Sequence, residues 1–542
     1  MNHVLKFIAR NKLFMFFCLV ITILGGFTRT YGASYLQRIT SLIDDGRIEG
    51  IVGLIVVGYL FMGSSYFFRW LSAVMTLYLT EKLALETRIR LLSHLSKIPF
   101  REYEKKTVGA LQSIFRNDVT AASELLYNLF SRIGNNIFLF IFTFVYMLML
   151  NTRVAVTVVG IVLVMAFVNQ KILEKLKKPV AEQRVSLGNM TQITENALAS
   201  INTIKTYSAD GYILDTFNAE RKRFSKLTMK ATVIDQIIRR SISDIINNSA
   251  MFLSILYLGY HGIAGRVGVG EIIVFIYLIK QIMVPVEVVF RWMGTAVRAM
   301  VTWKRVDEVL DIAVKDMESA GPAKSEIIED VNHVAVKGIT FSYDGSENIF
   351  ENMNVDFGKG HITRICGESG RGKTTLIKIL LGLYDCEGAV YEINKKKRES
   401  MTSISDVAAF APADNKLFNL SIYDNLTFGN TSISREQIMA LAAQLGVDEW
   451  LDSLPDGLDT VLSESAENVS GGQGQMLNNM RGLLSDKDII ILDEPFSALD
   501  TGRENKLANL LNDMKDEKII VITSHRKSEF LEGVREIELV GT

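Results

Sequence analysis

Three short segments in the last third of the chain combine residue types that handle phosphate. GESGRGKT, running from Gly367 to Thr374, sets Gly367, Gly370 and Gly372 among Glu368, Ser369 and Arg371, so the backbone can curl with its N–H groups facing inward. Such a loop cradles an anion. Lys373 reaches the β and γ oxygens, and the Thr374 hydroxyl, followed by Thr375, is placed to ligate magnesium. IIILDEP, from Ile489 to Pro495, reads as a buried strand ending in two acids, Asp493 suited to magnesium and Glu494 to an attacking water. VSGGQ, from Val469 to Gln473, places Ser470, Gly471, Gly472 and Gln473 ahead of a helical stretch, a second anion-binding surface. Together they imply ATP and Mg2+ as ligands and hydrolysis as the chemistry.

These residues need a scaffold that brings distant loops together. His361–Cys366 reads as a strand and Thr375–Leu383 as a helix, so the glycine loop joins strand to helix and meets the helix dipole. Apolar runs at His333–Tyr343, Asp406–Ala411, Ile489–Leu492 and Ile519–Thr523 alternate with helical stretches, an α/β pattern. MESAGPAKS, small and polar, precedes this domain as a linker. The expected organisation is a membrane domain over 1–316, a linker over 317–326 and a nucleotide-binding domain over 327–542.

The membrane assignment comes from composition. Of the 542 residues 48% are hydrophobic and the mean hydropathy is +0.21, too apolar for an ordinary soluble enzyme. Six stretches are candidates to span a bilayer: Phe14–Tyr35, Ile51–Thr76, Ile133–Leu150, Val154–Val168 with its extension, Ile245–Gly262 and Ile272–Phe290. The segments Glu81–Arg116 and Lys171–Arg240 are rich in Lys and Arg, whereas the connections near Asp44–Arg47, Asn151–Arg153 and His261–Val267 are not. The positive-inside rule then puts both termini in the cytoplasm, where ATP is available, and makes the chain a multi-pass protein of the cytoplasmic (inner) membrane. The cationic start MNHVLKFIARNK reads as the lead-in to a retained first span. A net charge of −1 supplies no field for nucleic acid, and three cysteines without metal-ligand spacing suggest neither disulfides nor structural zinc.

The ordered motifs resemble the ATP-binding cassette (ABC) family, VSGGQ being similar to its signature with Val469 in place of the usual leucine. The resemblance implies an α-helical six-span transmembrane domain followed by an α/β P-loop ATP-binding cassette domain, a half-transporter that pairs with a second copy or a partner chain. It implies that the signature closes on ATP held by the other subunit. Tyr343 matches the aromatic that stacks on adenine, His525 the switch histidine at the γ-phosphate, and Asp500, in Ser497–Asp500, the loop linking the two sites. Lys373, Glu494 and His525 are the catalytic set by this resemblance, with Thr374 and Asp493 on the metal. Ala413 stands where the family has a glutamine, so slowed or differently coupled hydrolysis is expected; Asp414 offers a substitute through a water. PFREYEKKTVGALQSIFRND (Pro99–Asp118) and SINTIKTYSADGYILDTF (Ser200–Phe217) resemble the two cytoplasmic loops of six-span exporters.

Cargo is read from the sixth span. Lys280, Val284, Glu287 and Arg291 fall on one helical face, and an intramembrane charge costs at least ~2.5 kcal/mol on insertion scales. That face either lines a wet cavity, with Arg29 and Arg69 as further candidates, or forms ion pairs without touching cargo. A wet cationic cavity suits cargo with an anionic or strongly polar part. Resemblance to bacterial exporters puts a small or modified peptide first and a lipid-linked or hydrophobic drug substrate second. A non-pumping channel or scaffold is the remaining alternative, supported only by Ala413.

Overall fold

The computed structural model describes residues 2–44, 50–263, 268–313, 330–343, 347–368, 370–384, 386, 388–398, 407–414, 417–462, 469–525 and 528–539. The expected linker 317–326 and Ser369 lie outside them. The chain divides into two compact units, one of residues 1–96 and 107–312, the other of residues 97–106 and 313–542.

The first unit is helical. α1 (Asn2–Arg10) is followed by α2 (Lys12–Asp44) and α3 (Ile51–Leu95). After α4 (Phe100–Glu104), which belongs to the second unit, come α5 (Val108–Ser113), α6 (Val119–Tyr127) and α7 (Asn135–Leu150), joined through π-helical turns at Ile114–Asp118 and Asn128–Gly134. α8 (Thr152–Ala199) runs for 48 residues with Pro179 inside it. α9 (Ile201–Thr206), α10 (Asp210–Thr232), α11 (Arg240–Ile263) and α12 (Val269–Leu310) complete the unit. Lys12–Ile43, Ile51–Leu95, Val108–Leu150 and Thr152–Ala199 are long and apolar enough to cross a membrane. The expected fifth and sixth spans lie within α11 and α12; Asn247, Asn248 and His261 make α11 more polar than the first four.

Large apolar side chains cover the outside of this bundle, Val52, Tyr59, Leu60 and Trp70 each being at least 60% exposed. Water would not tolerate that surface, but hydrocarbon does. Between the helices the packing is tight. Gly58 lies so close to Tyr35 that a Cβ there would sit 2.9 Å from the Tyr35 Cβ. A core of Met147, Val158, Met165, Phe275, Leu278 and Ile279 joins α7, α8 and α12.

The second unit carries two sheets. β1 (His333–Phe341), β2 (Phe350–Gly358), β4 (Val390–Ile393) and β5 (Lys396–Arg398) form an antiparallel sheet in the order β2-β1-β4-β5. β3 (Ile362–Cys366), β6 (Ala408–Ala411), β7 (Ile489–Asp493), β8 (Ile519–Thr523) and β9 (Val534–Glu538) form a parallel sheet in the order β6-β7-β8-β3-β9. β7 and β8 are buried at every position, as a sheet covered on both faces demands. Its helices are α13 (Lys373–Leu380), α14 (Ile422–Thr427), α15 (Arg435–Leu445), α16 (Asp448–Asp452), α17 (Gly471–Leu483) and α18 (Thr501–Met514).

Two sequence expectations need adjustment. The helix expected at Thr375–Leu383 begins at Lys373, because Gly372 adopts φ +90° and caps it, and ends at Leu380 before Gly382 turns the chain at φ +67°. β2, β4, β5 and β9 were not anticipated; in β9 the alternation of exposed and half-buried residues in VREIE suits a sheet edge rather than a continuous apolar run.

Candidate functional site

The sheet order explains why residues far apart in sequence meet. β7, β8 and β3 are adjacent and parallel, with Leu492 opposite Ile522, Asp493 opposite Thr523, and Ile365 opposite Thr523 on the other side. Their C-terminal ends therefore open side by side, where parallel sheets place ligands. Asp493 is the last residue of β7, and Lys373, Glu494 and His525 follow the strand ends.

The glycine loop is built for close approach. Gly370 and Gly372 have φ of +85° and +90°, and a Cβ on Gly372 would stand 2.8 Å from both Ile349 Cγ2 and Phe350 Cζ. Only glycine fits there. Lys373, 8% exposed, donates through Nζ to the Gly367 carbonyl at 2.7 Å and the Glu368 carbonyl at 3.3 Å. The same ammonium stands 3.1 Å from His525 Nε2 and 3.3 Å from its Nδ1, and His525 Nε2 is also 3.0 Å from Glu494 Oε1. Lys373, His525 and Glu494 thus form one connected line.

The two acids differ in how they are held. Asp493 is 7% exposed and accepts the Thr523 hydroxyl. Glu494 takes φ +50°, a left-handed conformation unusual for a side-chain-bearing residue, and its amide donates to the Thr523 carbonyl at 3.2 Å and hydroxyl at 3.0 Å. That conformation turns Glu494 out of the strand direction toward His525. Strain of this kind persists where surrounding bonds over-determine it. Here Gln475 Nε2 also holds the Glu494 carbonyl at 3.3 Å, and Asn479 Nδ2 holds the Pro495 carbonyl at 3.0 Å. Thr523, Gln475 and Asn479 were not singled out in sequence, because their part depends on cross-strand and helix-to-strand neighbours.

The signature segment forms the start of α17. Ser470 Oγ accepts from the Gln473 amide at 3.3 Å while Gln473 Oε1 accepts from the Ser470 amide at 2.9 Å, a capping box. Gly471 and Gly472 make up the first turn, and a Cβ on Gly472 would come within 2.7 Å of the Ala498 carbonyl. Asp500 caps α18 by accepting from the Arg503 amide at 2.9 Å, and that bond holds its carboxyl below the usual carboxylate range. Ala413 and Asp414 lie exposed just beyond β6.

Tyr343 is half-exposed, its hydroxyl 2.9 Å from Thr375 Oγ1 and its ring edge-on to Phe341 and Tyr384. The α4 segment joins this cluster. Phe100 packs on Tyr384 with centroids 5.8 Å apart, Arg101 donates to the Tyr343 carbonyl, and Glu104 accepts from Lys378 at 2.7 Å and from the Tyr384 hydroxyl. Burial raises the Glu104 carboxyl, but the bonds from Lys378 and Tyr384 outweigh it and leave the group below its ordinary value. Burial and then the Glu104 carboxylate push the Tyr384 phenol up. Glu104 lies in the loop segment read from sequence, but nothing in its spacing marked it out.

The residues that fit ATP and Mg2+ are these. The N-terminal amides of α13 and the glycine loop suit phosphates, the Thr374 hydroxyl is exposed at the first turn, and Asp493 keeps an oxygen beyond its Thr523 bond.

In the membrane unit, Lys280 and Val284 are exposed on α12 whereas Leu278, Ile279, Ile282 and Met283 are buried, so the described part of the stripe faces away from the core. The side chains of Glu287 and Arg291 lie outside the described residues. Arg29 lies near Tyr277, and Arg69 sits 5.1 Å from the Tyr66 ring centroid. Two features were missed in sequence. Arg132, in a π-helical turn, lies 3.8 Å from the Trp292 ring centroid, and Gln281 donates to Thr30 and Thr143 inside the bundle.

Comparison with known proteins agrees with this architecture. Residues 15–286 match the ABC transporter transmembrane region and residues 350–497 match the ABC transporter family. A probable ABC transporter ATP-binding/permease protein of Haemophilus influenzae is 25% identical over 97% of this chain and 96% of its own. An ATP-dependent lipid A-core flippase of Syntrophus aciditrophicus is 23% identical over 90% of this chain and 80% of its own. The fold is similar to that of a bacterial Atm1-family ABC exporter with ATP bound, with a TM-score of 0.81 at 18% identity, covering 98% of this chain and 94% of that one. A helical membrane domain followed by a P-loop domain in one chain, with the motifs in order on adjoining strands, places this chain in the ABC transporter family.

Proposed function

We propose that the chain hydrolyses ATP as a dimer of half-transporters and uses the cycle to move an amphipathic substrate with an anionic headgroup out of the cytoplasmic membrane. The observation that carries this reading is the line from Lys373 through His525 to Glu494 at the mouth of three adjacent strands. Magnesium, when bound, neutralises charge that builds on the transferring phosphate. Thr374 and Asp493 are the residues to hold it. Glu494 accepts a proton from water, and His525 fixes the Glu494 carboxylate through Nε2. Tyr343 takes the adenine face, and Gly367, Glu368, Gly370, Arg371, Gly372, Lys373 and Thr375 are the described residues that suit the phosphates.

Dimerisation is supported by Ser470, Gly471, Gly472 and Gln473, which start a helix whose N-terminal amides suit a phosphate; in a pair they would face the other chain's ATP, with Asp500 between the sites. A homodimer is favoured by the nearly full set of residues. The cationic loops support a cytoplasmic position for both termini. Ala413, lacking an amide, slows hydrolysis or loosens its coupling without abolishing it.

The lipid-like cargo is supported by the relatives bearing the name lipid A-core flippase and by cations at Arg29, Arg69, Arg132 and Lys280 beside aromatic rings or at exposed positions. The small-peptide reading rests on resemblance to bacterial exporters alone. The test is ATPase stimulation and flipping by the protein in vesicles with a panel of anionic glycolipids, zwitterionic lipids and short peptides. Stimulation and flipping by anionic lipids alone support the proposal. Stimulation by peptides alone selects the peptide reading, and an absence of Mg2+-dependent turnover selects the non-pumping one.

A further inference from the structure

A cavity of about 850 Å³ opens between α1 and the end of α3, lined by Lys6, Phe7, Ala9, Arg10 and by Glu86, Ile89, Arg90 and Ser93. Its chemistry divides into two halves. The lining brings together Lys6 and Arg10, one helical turn apart, and Arg90, which makes contacts of its own, with one carboxylate, Glu86, paired to Arg10. Ala9 and Ile89 supply an apolar wall, with Ile89 61% exposed.

Its position is also informative. From Ile51 to Thr80, α3 carries Arg69 as its only charge, and Glu81, Lys82, Glu86, Arg88 and Arg90 then follow closely. At 1.5 Å per residue, Glu86 lies about 8 Å beyond Glu81, roughly the depth of one headgroup layer. α1 is anchored there: Phe7 is 1% exposed within a core that includes Met15, Leu79, Leu83 and Leu91, and Lys82 Nζ donates to Asn11 Oδ1 at 3.0 Å. α1 thus has an apolar face pinned to α3 and a cationic face at the membrane boundary, the arrangement of an interfacial helix.

We propose that an acidic phospholipid binds in this cavity, its phosphate held by Lys6, Arg10 and Arg90 and its first methylenes against Ala9 and Ile89. The excess of positive charge selects an anionic headgroup, and the apolar wall distinguishes a lipid from free phosphate. The site is separate from the cargo residues on α12 and from the nucleotide loop, and it would tie the resting position of α1 and α3 to lipid composition.

The test is native mass spectrometry of the full-length protein in detergent, titrated separately with phosphatidylglycerol, phosphatidylcholine and inorganic phosphate. One phosphatidylglycerol per chain is expected to bind ahead of the other two. Each cation near an anionic group is worth about fivefold, so Lys6→Gln with Arg90→Gln weakens binding about thirtyfold. Ala9→Trp crowds the apolar wall without changing charge and also weakens binding, while Lys171→Gln, on the exposed surface of α8, leaves it intact. Retained basal ATPase identifies folded variants. Phosphatidylglycerol binding unchanged in both cavity variants overturns the site, and equal binding of inorganic phosphate overturns the lipid as its ligand.

Discussion

The loop between β3 and α13 and the middle of α12 both gather charged residues, but they are held in opposite ways. In the loop, backbone conformation and hydrogen bonds specify each position: Gly372 at φ +90°, Lys373 on two carbonyls, His525 between Lys373 and Glu494. On α12 no local bond singles out Lys280; its exposure follows from Leu278, Ile279, Ile282 and Met283 being buried against other helices. A phosphate site demands donors at fixed distances, which a short motif can encode. A cargo surface demands only a shape and a charge, which the packing of whole helices sets. Substitutions in the loop should therefore act through chemistry and local strain, and those outside it through coupling.

Glu494→Gln gives the largest effect and breaks the comparison if the loop's chemistry lies elsewhere. Phosphate release should fall by about a hundredfold or more while ATP binding persists; a rate within a few fold of the parent would remove Glu494 as the base. Gly372→Ala comes next. With φ +90° and a Cβ 2.8 Å from Ile349 and Phe350, it should destabilise the ATP-binding unit by about 2–3 kcal/mol, read as a lowered thermal midpoint, and weaken ATP binding.

Glu104→Gln tests the α4 connection. Its carboxyl is partly exposed, so the loss should be about 1 kcal/mol, with basal ATPase close to the parent and cargo stimulation reduced. The pH dependence has a definite sign. A lowered Glu104 value means that its contribution is present above the ordinary 4.5 and lost as pH falls through the lower folded value; the raised Tyr384 value means that its contribution is present below the ordinary 10.0 and lost only as pH rises past it. Thermal midpoints measured below pH 5 should fall in the parent relative to Glu104→Gln. Ala413→Gln is the smallest change, expected to raise the ATPase rate or its response to cargo a few fold, about 1 kcal/mol or less. No change in either would leave Ala413 without a role in coupling.

Much of the ATP-binding unit was readable in advance because its chemistry is written in contiguous residues. The strand Ile519–Thr523 has the limits expected of it, since a run of five β-formers between polar residues leaves few alternatives. α13 began two residues early because a glycine at positive φ caps it, a conformation that hydrophobic periodicity does not report. Asp500 and Ser470 were read by their resemblance as parts of a paired site, and each also caps a helix within its own chain. Arg132 on Trp292 and Glu104 on Tyr384 escaped notice because each partner lies more than a hundred residues away.

Residue order alone settled that a phosphate loop, two terminal acids and a signature helix occur together, and that apolar stretches long enough for a membrane precede them. Those properties depend on neighbours within a few positions and on summed hydrophobicity. Which strands lie side by side, and therefore that Lys373 meets His525 and His525 meets Glu494, was decided by the order β7-β8-β3 in the folded sheet. The same holds for the cationic cavity beside α1, whose walls come from two helices that meet where Phe7 is buried and Arg10 pairs with Glu86. Hydrogen bonds and cavities act over a few ångströms in space, a distance that separation along the chain does not measure.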